Sequence, residues 1–165
     1  LAQRAGWECE NGVVVDGASR TTDPAIFAIG DMTSRPLANY GDRRFRLESV
    51  PNAIEQAKQA AAAIAGTMPP PPELPWFWSD QYGLKLQIAG LRLDVDRTVL
   101  TGGEDGPEFV LYHFSSGTLV AVEAVNAIRQ FMAARKLVGS AGLDVAELNG
   151  REIAPDRAGS EQESI

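Results

Sequence analysis

The sequence lacks most of the features that mark secreted, membrane-spanning and metal-binding proteins. It contains one cysteine, Cys9, and one histidine, His113. A single cysteine excludes an internal disulfide, and the pair offers too few ligands for a zinc or transition-metal site. No apolar run is long enough to span a bilayer, and no charged-then-apolar signal segment opens the chain. We therefore expect a protein of the reducing cytoplasm with no membrane contact.

The chain also lacks an initiator methionine and the Gly-x-Gly-x-x-Gly loop that opens dinucleotide-binding folds. Its first predicted strands are short and too few to form a stable unit by themselves. We therefore expect a piece of a longer polypeptide, in which the pyrophosphate half of any dinucleotide site precedes Leu1. Whether such a piece is a truncation or a natural product is left open.

Basic residues are in the minority. The formal net charge is -7 and the sequence pI is about 4.7, which argues against a nucleic-acid partner and an anionic membrane. Arg43, Arg44 and Arg46 nevertheless cluster beside Arg35. A local basic patch of this kind could steer an acidic partner, and the alternative is a set of solvated loop arginines without a partner.

The 165 residues divide at a proline-rich stretch, because five of the seven residues from 69 to 75 are proline. Such a stretch forms a stiff, extended linker. We expect one segment at 1–68, a linker at 69–75, a second domain at 76–150 and a mobile, polar tail at 151–165. The hydrophobic content of 44% is sufficient for a core.

In the first segment, an apolar run ends in Gly-Asp at Phe27–Asp31. This pattern predicts a buried strand near Ile26–Ile29, beside a shorter strand at Val13–Val15. Gly30 would let the backbone approach a ligand, and the Asp31 carboxylate would accept a hydrogen bond from it. The alternative is that Asp31 caps a local turn. The following residues, 32–47, are expected to cross the surface as an irregular excursion.

A helix is predicted to start at Ser49, a favourable N-cap, with Pro51 in its first turn and Gly66 ending it. Its unpaired N–H groups carry a partial positive charge, and small residues at helical spacing would face a sheet or a flat ligand. These inner-face residues are Ala53, Ile54, Ala57, Ala60, Ala61 and Ile64.

The second segment predicts an α+β domain of antiparallel strands covered on one face by a helix. The predicted strands are 84–88, 97–100, 108–114 and 118–125, and the predicted helix covers 129–138. An aromatic cluster, Trp-Phe-Trp at 76–78, precedes them. His113 is expected to be an ordinary, half-exposed strand histidine.

Three motifs resemble the ferredoxin reductases of the putidaredoxin reductase and dioxygenase ferredoxin reductase group. They are Thr-Asp-Pro-Ala-Ile-Phe-Ala-Ile-Gly-Asp at 22–31, Leu-Glu-Ser-Val-Pro-Asn-Ala at 47–53 and Pro-Trp-Phe-Trp-Ser-Asp-Gln-Tyr at 75–82. The resemblance implies a partial FAD-binding α/β segment followed by the reductase C-terminal domain. It also implies a set of FAD-binding positions: Gly30, Asp31, Glu48, Ser49, Val50, Trp76 and Trp78. For Glu48, an exposed acid beside the helix start is the alternative.

The implied function is transfer of electrons from NAD(P)H through FAD to a [2Fe-2S] ferredoxin of an oxygenase system, with no protein nucleophile or acid-base pair. The chain alone is expected to be inactive, to bind FAD weakly and to self-associate through exposed edges. The alternative is a non-catalytic interaction or dimerisation module derived from the same C-terminal domain. The choice between NADH and NADPH, the ferredoxin, the terminal oxygenase and the oligomeric state are not predicted.

Overall fold

A computed structural model describes residues 1–103, 106–144 and 148–153. The chain forms two compact units, one at Leu1–Pro75 and one that begins at Trp76. No helix within the described ranges combines the length and the apolarity of a bilayer-spanning segment.

The first unit contains a three-stranded sheet in the order β1-β2-β3. β1 (Val13–Val14) pairs in parallel with β2 (Thr33–Leu37), which pairs in the antiparallel sense with β3 (Arg43–Phe45). A small apolar cluster beneath it consists of Val13, Val15 and Ala28. Two strands therefore lie where the sequence predicted an irregular excursion, and that prediction was wrong. The polar residues Thr33, Ser34 and Arg35 of β2 are buried, so the usual apolar alternation does not mark the strand.

The strand predicted at Ile26–Ile29 is also absent from the described structure. The segment makes a single bridge, between Phe27 and Arg20, and Ile29 is 41% exposed. A short 3-10 helix, Gly30–Met32, follows at once. An extended segment becomes a strand only where a neighbour offers a ladder of backbone partners, and one bridge does not provide a ladder.

The predicted helix is confirmed as α1, Val50–Ala65. The Ser49 side chain caps it by accepting from the Asn52 N–H at 3.3 Å, and Gly66 ends it in the left-handed conformation at φ 66°. The predicted inner face was wrong for most of its residues: Ile54 and Ile64 are 50% and 70% exposed, and Ala60 is the one predicted residue that is buried. The buried face is largely polar and consists of Asn52, Glu55, Gln56, Gln59, Ala60 and Ala62.

The second unit is a six-stranded sheet in the order β4-β5-β8-β7-β6-β9, in which every neighbouring pair is antiparallel. The α+β class predicted for this part of the chain is confirmed. Its strands are β4 (Trp76–Gln81), β5 (Leu84–Gly90), β6 (Arg97–Gly102), β7 (Phe109–Ser115), β8 (Thr118–Val125) and β9 (Arg151–Ile153).

One helix, α2 (Ile128–Arg135), packs on β8 and β5 and inserts the fully buried Phe131. β9 forms the edge of the sheet beside β6. The predicted tail therefore starts with a paired strand, and the rest of that prediction, at 154–165, lies outside the described residues. Tight turns at Tyr82-Gly83 and Ser116-Gly117 join the hairpins, and both residues of each turn have positive φ.

His113 is buried, with 2% of its surface exposed, and the prediction of a half-exposed residue was wrong. Its Nδ1 lies 3.0 Å from the Thr98 hydroxyl, and its Nε2 lies 3.4 Å from Glu123 Oε1. Arg92 lies 3.5 Å from the same carboxylate oxygen. Burial alone would raise the pKa of Glu123, but His113 and Arg92 outweigh it, so the pKa lies below its usual value.

Glu123→Gln should therefore lower the free energy of unfolding at neutral pH by about 1 kcal/mol. A loss of this order is expected when a long hydrogen bond to a charged group is removed. Because the folded pKa of Glu123 is depressed, its contribution is complete above the unfolded pKa and is lost as pH falls through the folded pKa. Thermal unfolding from pH 7 to pH 3 should show the two proteins converging in acid. Glu108→Gln, at an exposed position, is the control and should follow the parent protein at every pH.

Candidate functional site

The turn that carries Asp31 packs directly on the start of α1. Gly30 has φ +76°, and a Cβ built on it would lie 3.6 Å from the Ala53 side chain. Asp31 follows in the first turn of the short 3-10 helix and is exposed. Its side chain has no hydrogen-bond partner among the described residues, so it does not cap this turn. The carboxylate is thus presented at the surface beside the helix start.

The backbone of this turn is held by Gln56, a residue that the sequence analysis did not single out. Gln56 is fully buried, and its Oε1 accepts from the Gly30 N–H at 2.6 Å. The Thr33 hydroxyl lies 3.0 Å from the same oxygen and 2.8 Å from the Gly30 carbonyl. A glutamine two turns after a predicted N-cap is usually exposed, so only the fold reveals this contact.

The start of α1 leaves one backbone donor unengaged within the described chain. Pro51 has no N–H, and the Asn52 N–H bonds to the Ser49 hydroxyl. The Ala53 N–H makes the first helical bond, to the Ser49 carbonyl at 3.0 Å. The Val50 N–H has no partner among the described residues, and the Val50 side chain is 57% exposed. The partial positive charge at the N-terminus of α1 is therefore located at the unpaired Val50 N–H.

The sequence placed three arginines in a basic patch, and the structure gives each a contact within the first unit. Arg44 donates to the backbone carbonyl of Ser34 at 2.6 Å, and Arg46 pairs with Glu48. The Arg43 guanidinium lies 5.7 Å from the centre of the Phe45 ring. Arg44 therefore stabilises the three-stranded sheet. Glu48 is exposed and forms an ion pair with Arg46.

Arg35 lies inside the first unit and is 4% exposed. Its guanidinium donates to both carboxylate oxygens of Glu55, at 3.1 and 3.3 Å, and to Asn52 Oδ1 at 3.0 Å. Glu55 also accepts from Gln59 Nε2 and from the backbone N–H of Glu73, each at 3.2 Å. This buried polar network joins β2, the first two turns of α1 and the chain after it.

Trp76 and Trp78 belong to the second unit, where they sit on one face of β4. Their rings stack with centroids 4.9 Å apart and planes at 28°, and the Arg135 guanidinium lies 4.6 Å from the Trp76 ring centre. Trp78 remains 40% exposed. The Trp76 ring is held between the Trp78 ring and the Arg135 guanidinium, and Trp76 covers one face of Trp78. These contacts limit the motion of both indoles, so the unit presents a rigid indole surface.

Two family models match the chain in succession. Residues 1–57 match the pyridine nucleotide-disulphide oxidoreductase family, and residues 76–149 match the family described as reductase C-terminal. The chain is 53% identical over 138 residues to the probable ferredoxin reductase CtmF of Castellaniella defragrans, and 38% identical over 138 residues to the putidaredoxin reductase CamA of Pseudomonas putida. The chain carries segments of both families and is similar over most of its length to ferredoxin reductases.

The match includes most of this chain and a minority of each relative. It covers 84% of this chain and 34% and 32% of those two relatives, so the chain spans about a third of their length. Among solved structures, the covalent putidaredoxin reductase–putidaredoxin complex is similar, with a TM-score of 0.78 and 37% identity over 86% of this chain. A ferredoxin reductase for the CYP199A2 system of Rhodopseudomonas palustris gives a TM-score of 0.73 and 37% identity. The family predicted from the motifs is confirmed.

The buried ion pair should be decisive for the stability of the first unit. Arg35→Met leaves the Glu55 carboxylate buried without its main partner, which should cost about 3 kcal/mol. Lys58→Met is a matched control, because Lys58 pairs with Glu73 at 3.9 Å and both side chains are more than half exposed. That control should change the free energy of unfolding by less than about 0.5 kcal/mol. Urea denaturation measures both, and equal losses would contradict the assignment of a buried pair.

Proposed function

We propose that this chain is the C-terminal part of a flavoprotein that passes electrons from NAD(P)H through FAD to a [2Fe-2S] ferredoxin of an oxygenase system. The observation that carries the proposal is the packing of the Gly30–Asp31 turn on the start of α1. This packing puts an exposed carboxylate and an unengaged helix amide on adjoining elements of one unit. FAD, when bound, supplies the chemistry by taking a hydride and giving up single electrons.

Asp31 is suited to accept a hydrogen bond from a ribityl hydroxyl of FAD. A carboxylate accepts and cannot donate, and the short side chain on a turn held by Gln56 has little freedom. The Asp31 carboxylate has no hydrogen-bond partner among the described residues, so no such bond competes with a ligand. The role of Gly30 is to let the turn approach α1 closely at φ +76°.

Val50 and Ser49 are suited to stabilise negative charge on the flavin ring. Negative charge that develops at the pyrimidine end of a flavin ring is stabilised by an N–H and by the positive end of a helix. The Ser49 hydroxyl engages the Asn52 N–H, so the Val50 amide is left to face a ligand. Glu48, held by Arg46, would lie at the margin of the same site.

Trp76 and Trp78 enter the proposal through the family resemblance. Their contribution is an indole surface that excludes water from a reduced ring, which suits single-electron transfer because it leaves a dry contact. Their stacked arrangement in the second unit supports this role. We propose the same domain division as the sequence analysis, with the FAD-binding part at 1–68, the linker at 69–75 and the reductase C-terminal domain at 76–150.

A ferredoxin partner is proposed by analogy with the relatives, and Arg43, Arg44 and Arg46 would contribute positive charge to its approach. Arg43 and Arg44 are both exposed, Arg44 also donates to backbone carbonyls, and Arg46 pairs with Glu48. Long-range attraction would raise the rate of encounter more than the final affinity.

Asp31→Asn in the full-length protein should weaken FAD binding by about tenfold or more, since an amide replaces a charged acceptor. Asp42→Asn is the matched control: Asp42 is exposed, and asparagine tolerates its φ of +57°. Titration of the apoprotein with FAD, followed by flavin fluorescence, gives both dissociation constants. A full-length parent protein that binds no flavin would overturn the proposed function.

One observation favours the alternative of an interaction module. Four exposed or half-exposed apolar residues and Val50 form a stripe along α1, which we call the α1 apolar stripe: Val50, Ile54, Ala57, Ala61 and Ile64. Exposed apolar surface of this kind commonly marks a contact with another protein segment. It would drive association of the isolated chain under either function.

The isolated 165-residue chain should therefore self-associate and should not bind FAD in stoichiometric amount. Ile54→Lys with Ile64→Lys should shift it toward the monomer, because charge replaces exposed apolar surface on the α1 apolar stripe. Lys58→Glu, an exposed position beside the stripe, is the control and should leave the elution volume unchanged. Size-exclusion chromatography and a spectrophotometric flavin titration test the two expectations. A clean monomer or stoichiometric flavin would contradict them.

A further inference from the structure

Gln56 joins α1 to the turn before Asp31 through a hydrogen bond from the Gly30 backbone to its side chain. Gln56 lies in the second turn of α1 with none of its surface exposed. Its Oε1 accepts from the Gly30 N–H at 2.6 Å across 26 positions of sequence. The preceding residues 26–28 bond to residues 19–21 through their backbone, and Gln56 adds a contact from α1 to the Gly30 N–H itself.

The orientation of the Gln56 amide follows from its neighbours. The backbone N–H of Gly30 can only donate, so the oxygen of the Gln56 amide must face it. Asn52 Nδ2 donates to the same oxygen at 3.4 Å. The Thr33 hydroxyl, 2.8 Å from the Gly30 carbonyl, holds the other polar group of Gly30. Both the N–H and the C=O of Gly30 are therefore fixed.

Packing alone does not explain a glutamine here. With its oxygen directed at Gly30, the Nε2 of Gln56 is buried and has no partner within the described residues. A buried, unpaired donor lowers stability, and an apolar side chain of the same length would avoid that cost. What an apolar side chain would not provide is the acceptor for Gly30.

We propose that Gln56 is a positioning residue for FAD, an inference that rests on the proposed function. One side chain links the peptide before Asp31 to the helix whose first residue is Val50, and so fixes the separation of the carboxylate and the amide. Preorganised groups bind a ligand more tightly because less ordering is needed on binding. Gln56 acts through Asp31 and Val50 and does not itself contact the cofactor.

The test uses the full-length, FAD-binding protein with Gln56→Met and the control Gln59→Met. Gln59 is also buried on the same helix face, one turn later, and bonds to Glu55 instead of Gly30. Gln56→Met should raise the FAD dissociation constant about tenfold, while Gln59→Met should stay within about threefold of the parent. Thermal unfolding should show similar losses for the two. Thr33→Val, which keeps the shape and removes the bond to the Gly30 carbonyl, is a second variant and should weaken FAD binding in the same direction.

A double-mutant cycle separates positioning from a general structural effect. If Gln56 acts through Asp31, then Gln56→Met in the Asp31→Asn background should change the FAD dissociation constant by less than about threefold. Full additivity, or equal effects of Gln56→Met and Gln59→Met, would overturn the inference while the proposed function stands. A parent protein without FAD affinity would instead remove the proposed function itself.

Discussion

The first unit depends on a polar contact, in which the buried face of α1 binds the segment from Gly30 to Arg35. Gln56 accepts from Gly30, and Glu55 pairs with Arg35. The apolar cluster of Val13, Val15 and Ala28 is small, and hydrogen bonds and an ion pair join α1 to the segment beside it. Hydrogen bonds and ion pairs are directional. They therefore restrict the position of a turn more strongly than apolar packing does.

That specification is what a cofactor site requires. The chemistry proposed for the chain needs no nucleophile and no proton donor, only an acceptor and a donor held at a set separation. Asp31 lies on a turn without a supporting strand, and Val50 begins a helix. The polar face of α1 makes them parts of one rigid arrangement. The exposed α1 apolar stripe on the other side of the helix is then free to face a different partner.

The second unit depends on a different physical principle. Its sheet combines hairpins with two pairs of strands that are distant in sequence, β5–β8 and β6–β9, and α2 covers it through Phe131 and Ala134. Within it, His113 and Thr98 are buried polar residues, and His113 contacts the Glu123 carboxylate, which also lies near Arg92. The Trp76–Trp78 pair is fixed by stacking, and this gives the unit a surface that is rigid and partly exposed.

The sequence by itself determined the ends of α1, four of the six described strands of the second unit and the family resemblance. A cap at Ser49, a left-handed Gly66 and apolar alternation along 84–88 and 118–125 are local signals that need no knowledge of the fold. The motifs around Asp31, Val50 and Trp78 were equally local. Tertiary structure alone decided which face of α1 is buried, because Arg35 and Gly30 supply partners that lie 20 to 26 positions away. Tertiary structure also decided that residues 26–29 do not form a strand, that Thr33–Leu37 does, and that Gln56 binds the turn at Gly30. Strand pairing and burial depend on residues that are distant in sequence, so no local pattern predicts them.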